Sequence, residues 1–291
     1  MAKEVHLTTE RSLGYELLDS GDHQKLERYG SIIVARPDTQ AIWTKADEKQ
    51  WARADAHFAW HGGKGSWKIE NKIPEPWIVE LEGTKLLAKL TSFKHTGIFP
   101  EQIPNWQWLR ERVVLHKTNS GRAPKVLNLF GYTGAASIVA SLSGADVTHV
   151  DSSKTSVEWA KANAACSALP TDSVRWVIED VRAYVKREIR RGEKYDGILL
   201  DPPAFGRGNK DEVWKIEEDL LPLLVSLKEL LSSEKDSFFL LNGYASGYSP
   251  LSFSQLTESV FKDSDGQYGE LRIKETGSRE LAAGMYVRFE K

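Results

Sequence analysis

From residue 105 to the C-terminus, short apolar runs alternate with helical stretches, and this alternation constrains the fold more than any other feature. The apolar runs are Val126–Phe130, Val147–Asp151, Val174–Ile178, Tyr195–Asp201 and Ser237–Asn242. The segments that follow them with helical spacing are Ala135–Leu142, Ser153–Ser167, Val181–Arg191, Glu212–Leu231 and Ser252–Lys262. Strands and helices that alternate in this way form right-handed crossovers, which predicts a doubly wound, mostly parallel α/β sheet.

The two ends of the chain depart from this alternation. Glu270–Lys274 and Met285–Phe289 have no helix between them, so we expect an antiparallel hairpin at one edge of the sheet. Before residue 105, β-branched and aromatic runs are separated by turn residues; these runs lie at 31–36, 41–44, 77–82 and 86–91. They predict a small β-rich unit. The predicted domains are therefore a β-rich N-terminal domain, 1–104, and an α/β domain, 105–291.

Seven of the ten tryptophans lie within the first 108 residues, where two interpretations compete. They are Trp43, Trp51, Trp60, Trp67, Trp77, Trp106 and Trp108. Exposed indole rings would offer stacking platforms for nucleobases. Buried rings would fill the thin core of a small β domain, and this is the simpler interpretation.

Composition excludes several classes of protein. The chain has 39 basic and 41 acidic side chains and a net charge of −2, which excludes binding to nucleic acid by bulk charge but leaves room for a local basic patch. The single cysteine, Cys166, excludes an intramolecular disulfide, a cysteine-based zinc cluster and a CxxC redox pair. No run is apolar enough to cross a bilayer. We expect a cytoplasmic protein that needs neither a membrane nor a metal.

Residues suited to bind a nucleoside lie at or just after the ends of four successive predicted strands. They are Asn128, Phe130, Gly131, Tyr132, Thr133 and Gly134 after the first, Asp151 and Ser152 after the second, Asp180 after the third, and Asp201 after the fourth. Ligands of open α/β sheets bind beyond the carboxyl ends of the strands. The two glycines let the backbone turn sharply and approach a ligand, and a carboxylate at Asp151 can accept hydrogen bonds from both ribose hydroxyls. Taken alone, Asp151 is equally typical of a helix N-cap.

The first loop narrows the choice of cofactor. It lacks G-x-G-x-x-G and places Tyr132 where dinucleotide sites need a small residue, and no P-loop motif occurs. A cofactor with ribose and adenine but no pyrophosphate fits better, which indicates S-adenosylmethionine (SAM).

The Asp201-Pro202-Pro203-Ala204-Phe205 segment predicts the acceptor site. Two prolines fix their φ angles and have no N–H groups, so we expect a rigid turn at the end of the strand whose carbonyl groups are free. Such a turn beside the Phe205 ring suits a planar heterocycle, which would stack on one face and bond at its edge. The alternative is a turn that ends the strand and buries Phe205. The predicted catalytic residues are Asp201, Pro202, Pro203 and Phe205.

These motifs resemble those of the class I SAM-dependent methyltransferases. The resemblance rests on Asn128–Gly134, Thr148–Lys154 and Leu200–Gly206. Within this class, the motifs resemble most specifically the branch that includes the bacterial 23S ribosomal RNA methyltransferases acting on cytosine C5 or guanine N7. It implies a Rossmann-like methyltransferase domain. The segment His95–Gln102 is similar to a loop that precedes this domain in that branch and folds over the cofactor, which would add Phe99 and Gln102 to the SAM site.

One departure from that branch bears on the chemistry. Cytosine-C5 enzymes need a cysteine nucleophile, which in the matching branch follows the fifth strand. Here that stretch is Leu240–Ser246 and contains no cysteine. We therefore expect direct, non-covalent transfer to a ring nitrogen or an amine.

The expected substrate is RNA, with a ribosomal RNA base favoured. The predicted RNA-contacting residues are Arg207, Lys210 and Arg182; the helix of Arg182 also carries Lys186, Arg187, Arg190 and Arg191. The charged face of that helix is equally typical of an ordinary amphipathic helix. Alternatives are methylation of a small molecule or a protein side chain, or a SAM-binding module without transferase activity. The sequence leaves the oligomeric state open.

Overall fold

The computed structural model describes residues 2–208, 212–244, 247–262 and 266–291. The chain divides into two compact units. The α/β unit comprises the described residues of 1–7, 105–270 and 284–291, and the β unit comprises 8–104 and 271–283. The predicted domains 1–104 and 105–291 remain a prediction, and the compact units differ from them at 1–7 and 271–283.

The strands and helices have the following bounds. In chain order the strands are β1 Lys3–Glu4, β2 Leu7–Thr9, β3 Tyr15–Gly21, β4 Gln24–Tyr29, β5 Ile32–Pro37, β6 Ala56–His61, β7 Lys64–Ile69, β8 Trp77–Leu81, β9 Thr84–Ala88, β10 Lys125–Leu129, β11 Asp146–Asp151, β12 Val174–Ile178, β13 Gly197–Leu200, β14 Phe205–Arg207, β15 Val213–Lys215, β16 Phe238–Gly243, β17 Gly266–Lys274 and β18 Glu280–Glu290. The α-helices are α1 Glu48–Trp51, α2 Ile103–Ser120, α3 Ala135–Leu142, α4 Lys154–Cys166, α5 Val181–Arg190, α6 Ile216–Leu230 and α7 Pro250–Val260. A short 3-10 helix covers Pro100–Gln102.

The large sheet has the order β1-β17-β18-β16-β13-β10-β11-β12. β10 pairs in parallel with both β11 and β13, and β13 pairs in parallel with β16. β18 is antiparallel to β16. This arrangement confirms the predicted doubly wound, Rossmann-like fold. The strand order reverses at β10, so the carboxyl ends of β10, β11 and β13 lie where a ligand is expected.

The C-terminal strands differ from the prediction in one respect. β17 and β18 are neighbours as expected, but β1 pairs in parallel with β17 and forms the outermost strand. The sequence analysis missed β1 because two residues, Lys3 and Glu4, show no apolar period.

One hydrophobic cluster of the α/β unit lies between the sheet and helices α5 and α6. Leu127, Leu129, Ile198, Leu200, Phe239 and Leu241 supply the sheet side. Leu220, Leu223, Leu224 and Leu227 supply the α6 side, although Pro222 lies within that helix. The predicted helix over Glu212–Leu231 is wrong at its start, because 213–215 form β15 and the helix begins at Ile216.

The β unit contains a sheet of order β3-β4-β5-β6-β7 and a separate β8–β9 hairpin. This confirms the β-rich character of the N-terminal region. Residues 41–44 are not a strand, contrary to expectation, although Ala41 and Trp43 accept backbone hydrogen bonds from the turn between β3 and β4. Among the helices of the described residues, none is long and apolar enough to span a membrane.

A buried ion pair lies inside the β unit. The carboxylate of Glu27, with no exposed surface, accepts hydrogen bonds from the Arg36 guanidinium and from the hydroxyls of Tyr15 (2.8 Å) and Tyr29 (3.1 Å). Burial by itself would raise the pKa of Glu27, but Arg36 and Lys25 lower it to about 2. The lowered pKa stabilises the fold above pH 4.5, and this contribution is lost as the pH falls towards 2.

We expect Arg36→Met to reduce the free energy of unfolding by about 3–5 kcal/mol, because it leaves the Glu27 charge buried without its partner. Urea denaturation at pH 7, followed by tryptophan fluorescence, measures this. The double variant Glu27→Leu/Arg36→Met should recover most of the loss. Arg272→Met, which removes a partly exposed pair with Glu280 (3.3 Å), should cost no more than about 1 kcal/mol. Equal losses for Arg36→Met and Arg272→Met would contradict the role given to the buried pair.

Candidate functional site

The loop after β10 has an unusual backbone. Phe130 and Tyr132 adopt positive φ angles of 56° and 47°, and Gly134 has a φ of 84°. Left-handed conformations of bulky residues cost roughly 1–3 kcal/mol each and persist where surrounding contacts hold them. Gly134 is the N-cap of α3, so the loop delivers the chain to the helix N-terminus predicted from the sequence.

The Asp151 carboxylate, at the end of β11, holds this loop. Its Oδ2 accepts a hydrogen bond from the Tyr132 N–H (2.9 Å), and its Oδ1 accepts one from the Ser153 N–H (2.8 Å). Burial raises the pKa of Asp151, and these two N–H groups act in the opposite direction. A carboxylate offers about four accepting positions, so two are left for further donors such as the hydroxyls of a ribose. The N-cap of α4 is Ser153. Asp151 is therefore not the N-cap, which was the alternative role for it in the sequence.

A buried histidine lies beneath the loop and explains one of its glycines. His149 has no exposed surface, and a Cβ at position 131 would lie 2.4 Å from its ring. Burial lowers the pKa of His149 to about 3, so its imidazole is neutral at physiological pH. Gly131 is therefore required by the packing of His149, a reason that the sequence analysis missed.

Asn128 and Ser137 complete this buried cluster. The Asn128 side chain donates to the Ser137 hydroxyl (2.9 Å), which bonds His149 Nδ1 (2.9 Å). Asn128 is thus engaged inside the fold, and its predicted contact with the cofactor stays a prediction. Thr133, another predicted residue, is buried as well, and its carbonyl accepts from Asn163 of α4 (2.8 Å).

Asp180 at the end of β12 has more partners than expected. Its carboxylate caps α5 by accepting from the Arg182 and Ala183 N–H groups (2.9 and 3.1 Å), and it forms an ion pair with the Arg182 guanidinium (3.1 Å). The predicted hydrogen bond from an adenine amino group to the Asp180 carboxylate would be formed in addition to these contacts. Ser152, the residue after Asp151, is half-buried.

The basic face of α5 is less available than the sequence indicated. Arg182 pairs with Asp219 (2.8 Å) as well as Asp180, Arg187 pairs with Glu179, and Arg191 pairs with Glu188 (3.0 Å). Three of the five charges counted from the sequence are thus paired with neighbouring carboxylates. Arg182 remains a predicted RNA contact, but its charge is used within the fold.

The Asp201–Pro203 turn follows β13, as predicted, but the carbonyl groups of Pro203 and of the next residue, Ala204, are not free. The Pro203 carbonyl accepts from the Trp214 indole N–H (2.7 Å), and the Ala204 carbonyl accepts from the Ile216 N–H (3.1 Å). These bonds join the turn to the antiparallel β14–β15 hairpin.

The aromatic residue after the turn points to solvent. Phe205 is 56% exposed, so the alternative that buries it in the core is wrong. Arg207 is exposed two residues further along β14 and therefore projects from the same face as Phe205. Lys210, the third predicted RNA contact, lies outside the described residues.

Trp214 connects the strand-end segments, and the sequence analysis missed it because it assigned this residue to a helix. Its ring, 5% exposed, packs 4.8 Å from the Phe130 ring, and the Arg182 guanidinium lies 6.0 Å from its centroid. With the bond to Pro203, the indole contacts the loop after β10, the start of α5 and the Asp201–Pro203 turn. The strand-like Val213-Trp214-Lys215 is the signal that could have revealed it.

A second unpredicted set of residues reaches the end of β16. Arg288 donates to Asn105 Oδ1 (3.2 Å), and the Asn105 amide donates to Asn242 Oδ1 (3.0 Å). Because arginine can only donate, it fixes the orientation of both amides, and Asn242 keeps its NH2 group as a donor. The register of Leu200 with Leu241 places Asn242 beside Asp201.

Phe99 and Gln102 belong to the β unit. Gln102 is buried at the end of the 3-10 helix, and the Phe99 ring lies 5.4 Å from the His95 ring. Their predicted contact with the cofactor stays a prediction.

Comparison with known proteins decides the family. No protein-family model matches the chain. A crystal structure of a SAM-dependent methyltransferase from Agrobacterium tumefaciens superposes with a TM-score of 0.92 and 39% identity, covering 98% of this chain and 93% of that one. This chain belongs to the SAM-dependent methyltransferases. The class I assignment made from its motifs is confirmed, and SAM is its cofactor.

Two further relatives add to this. The ribosomal RNA large subunit methyltransferase K/L of Shewanella baltica is 36% identical over 159 residues, which are 54% of this chain and 21% of that protein. The chain thus spans about a fifth of the length of that relative. A methyltransferase structure in complex with S-adenosylhomocysteine has a TM-score of 0.75 at 21% identity, covering 96% of this chain and 75% of that one, and shows the same fold.

The residues of the methyltransferase fit SAM. The Asp151 carboxylate can accept further hydrogen bonds, and the protein holds the backbone of the neighbouring loop in place. Among the described residues, no group of three or more His, Cys, Asp or Glu is arranged to hold a metal ion.

We expect Gly131→Ala to destabilise the methyltransferase by about 1–3 kcal/mol, because the added methyl group meets the His149 ring. In a His149→Ala background the same change should cost far less, since the ring is gone. Urea denaturation of the four proteins in this cycle measures the coupling. Pairing Gly131→Ala with Ser259→Ala, a change on the exposed side of α7, should give additive effects. If the effects of Gly131→Ala and His149→Ala were also additive, the His149 ring would not be the reason that position 131 requires a glycine.

We expect Trp214→Phe to loosen the Asp201–Pro203 turn without affecting SAM binding. The substitution keeps a ring against Phe130 but leaves the Pro203 carbonyl without its donor. The loss of this hydrogen bond should lower the local stability of the turn by about 1–2 kcal/mol. Amide hydrogen exchange in 204–208 and 213–216 should then become roughly tenfold faster. Mass spectrometry of deuterium uptake measures the exchange, and calorimetry measures SAM affinity. Trp176→Phe, beside His149, serves as the control. Unchanged exchange in both segments would contradict the role of the indole N–H.

Proposed function

We propose that this methyltransferase modifies RNA, with a base of ribosomal RNA as the acceptor. The observation that carries the proposal is the exposed Phe205 ring next to the Asp201–Pro203 turn at the carboxyl end of β13. An aromatic face open to solvent beside hydrogen-bonding groups suits a planar base that arrives from outside the protein. The ribosomal RNA methyltransferase from Shewanella supports the same substrate class.

In this proposal the four strand ends divide between cofactor and acceptor. SAM binds along Phe130–Gly134, with its ribose on Asp151 and its adenine towards Asp180; Ser152, Asn128, Phe99 and Gln102 are the further proposed contacts. When bound, SAM supplies an electrophilic methyl group on a sulfonium. Asp201 and the two prolines orient the acceptor base at its edge while Phe205 stacks on its face, and Arg207 is placed to contact a phosphate.

The proposed chemistry is direct transfer to a nitrogen lone pair. Asp201 and Asn242 would hold the acceptor so that this lone pair lies in line with the methyl group, and such positioning accounts for much of the rate in transfers of this type. A covalent route needs a thiolate at the acceptor. Cys166 is at the C-terminal end of α4, following the second parallel strand and not β13 or β16.

The test is methylation of RNA from cells that lack the protein, with mass spectrometry of the nucleosides. We expect the wild-type protein to restore one methylated base. Phe205→Ala should cut the transfer about tenfold, since stacking contributes about 1–3 kcal/mol per base. SAM affinity and thermal stability should stay unchanged because the ring is exposed. Phe205→Tyr should retain activity, and Val225→Ala, an exposed apolar side chain on α6, is the matched control.

Two variants separate cofactor binding from acceptor chemistry. Asp151→Ala should weaken SAM binding about tenfold through the loss of a charged acceptor, and Cys166→Ser should remain active. A covalent RNA adduct that Cys166→Ser abolishes would restore cytosine C5 as the target. Methylation of a small metabolite or a protein, with no RNA product, would overturn the proposal.

A further inference from the structure

Arg288 on β18 is a buried cation that bonds neutral amides. It is 8% exposed, and its guanidinium carbon lies 5.1 Å from the ring centroids of both Trp108 and Tyr286. Its Nε and Nη2 groups donate to Gln267 Oε1 (3.1 and 2.8 Å), and its Nη1 group donates to Asn105 Oδ1 (3.2 Å). Among the described residues, no carboxylate forms an ion pair with it. A buried charge without a counter-ion is costly, which indicates that this guanidinium does more than stabilise the fold.

The hydrogen bonds from Arg288 run in one direction to the end of β16. A guanidinium can only donate, so the atom of Asn105 that it meets is the oxygen. The NH2 group of Asn105 is thereby directed to Asn242 Oδ1 (3.0 Å). Asn105 has no exposed surface, which keeps water from replacing either bond. We call Arg288, Asn105 and Asn242 the amide relay.

The amide relay ends on a donor. Asn242 is 7% exposed, and within the described part of the chain no residue accepts a hydrogen bond from its NH2 group. The parallel strands β13 and β16 pair Leu200 with Leu241, so Asp201 and Asn242 follow side by side, on strands about 4.8 Å apart. Ligands of open α/β sheets bind at this edge, and a buried donor that the fold leaves unpaired there is suited to a ligand.

We propose that Arg288 is a positioning residue for methyl transfer, which acts through Asn105 to hold the Asn242 amide with its NH2 group towards the acceptor. The inference rests on the proposed function, since it assigns the polarity of the contact between Asn242 and the acceptor base. An N–H donor pairs with a carbonyl oxygen or a bare ring nitrogen and does not pair with an amino group. The amide relay therefore selects a base whose reacting nitrogen lies beside an atom with a lone pair.

The amide relay takes no proton in the transfer. The lone pair of the acceptor nitrogen forms the new N–C bond as the S–C bond breaks and its electron pair stays on sulfur. The positive charge thus passes from the sulfonium to the nitrogen. The part of the amide relay is to hold the base so that this lone pair lies in line with the methyl group.

Asn105→Asp tests the amide relay by exchanging one NH2 group for an oxygen. The new carboxylate, ionised beside Arg288, still accepts from the guanidinium but cannot donate to Asn242. The Asn242 amide must then turn, give its NH2 group to the carboxylate and present its oxygen to the acceptor. We expect kcat on RNA from cells that lack the protein to fall about a hundredfold, because the base is misplaced. KM for the RNA and SAM affinity should stay close to those of the wild type.

A merely structural role of Asn105 predicts a different result. Asn105→Asp replaces a neutral contact of Arg288 by an ion pair, so the thermal midpoint should be kept or raised. A variant that is stable and binds SAM but transfers slowly supports the amide relay, whereas one that is stable and fully active overturns it. Asn242→Asp, which also presents an oxygen to the acceptor, should lose kcat to a similar extent. If Asn105→Asp does not fold, Asn242→Asp decides, and full kcat in that variant overturns the amide relay.

Gln267→Leu is the matched control. It removes the other amide that accepts from Arg288 and leaves the bond to Asn105 in place. Its kcat should stay near that of the wild type. Arg288→Met should lower kcat about two- to tenfold, less than Asn105→Asp does, because the Asn105 amide can then adopt either orientation. Equal losses of kcat for Gln267→Leu and Asn105→Asp would show that packing around Arg288, and not the orientation of the amides, governs the transfer.

The outcomes also separate this inference from the proposed function. If the wild-type protein methylates RNA and both Asn105→Asp and Asn242→Asp do so at the wild-type rate, only the amide relay is wrong. If the wild-type protein binds SAM but methylates no RNA, the proposed function is wrong, and the polarity assigned to its acceptor is wrong with it.

Discussion

The parallel pairing of β10 with both β11 and β13 is the constraint on which the site depends. In register, this pairing brings the ends of three strands to one edge of the sheet, where the loop after β10, Asp151 and Asp201 lie. Asp151 then bonds the Tyr132 N–H and holds the loop after β10 in its positive-φ conformation. The conformation of this loop is thus a consequence of sheet register together with one carboxylate.

The two halves of the site are built differently. Around the loop after β10, the polar groups are buried and engaged, as the Asn128–Ser137–His149 cluster shows. After β13, Phe205 and Arg207 are exposed, while the buried Trp214 anchors the turn behind them. The candidate site therefore combines a rigid loop after β10 with an exposed aromatic edge after β13.

Much of the fold could be predicted because local patterns dominate it. The helix over 135–142 and the strand over 174–178 have the predicted bounds, since a short run of apolar or small residues marks each of them locally. Helix α2 was missed, because its apolar residues follow no clear helical period. The β14–β15 hairpin was missed because three-residue strands are too short to show one.

By itself, the sequence determined the alternation of the main strands and helices after residue 125, the doubly wound class and the positions of Gly131, Asp151 and Asp201 at strand ends, because these follow from residue spacing along the chain. Tertiary structure alone decided which groups are engaged. It pairs Arg182 with Asp219, places His149 under Gly131 and joins Trp214 to Pro203. These contacts depend on the three-dimensional positions of side chains, which no local pattern records, so a charge or an indole ring that looks free in the sequence is committed once the sheet has formed.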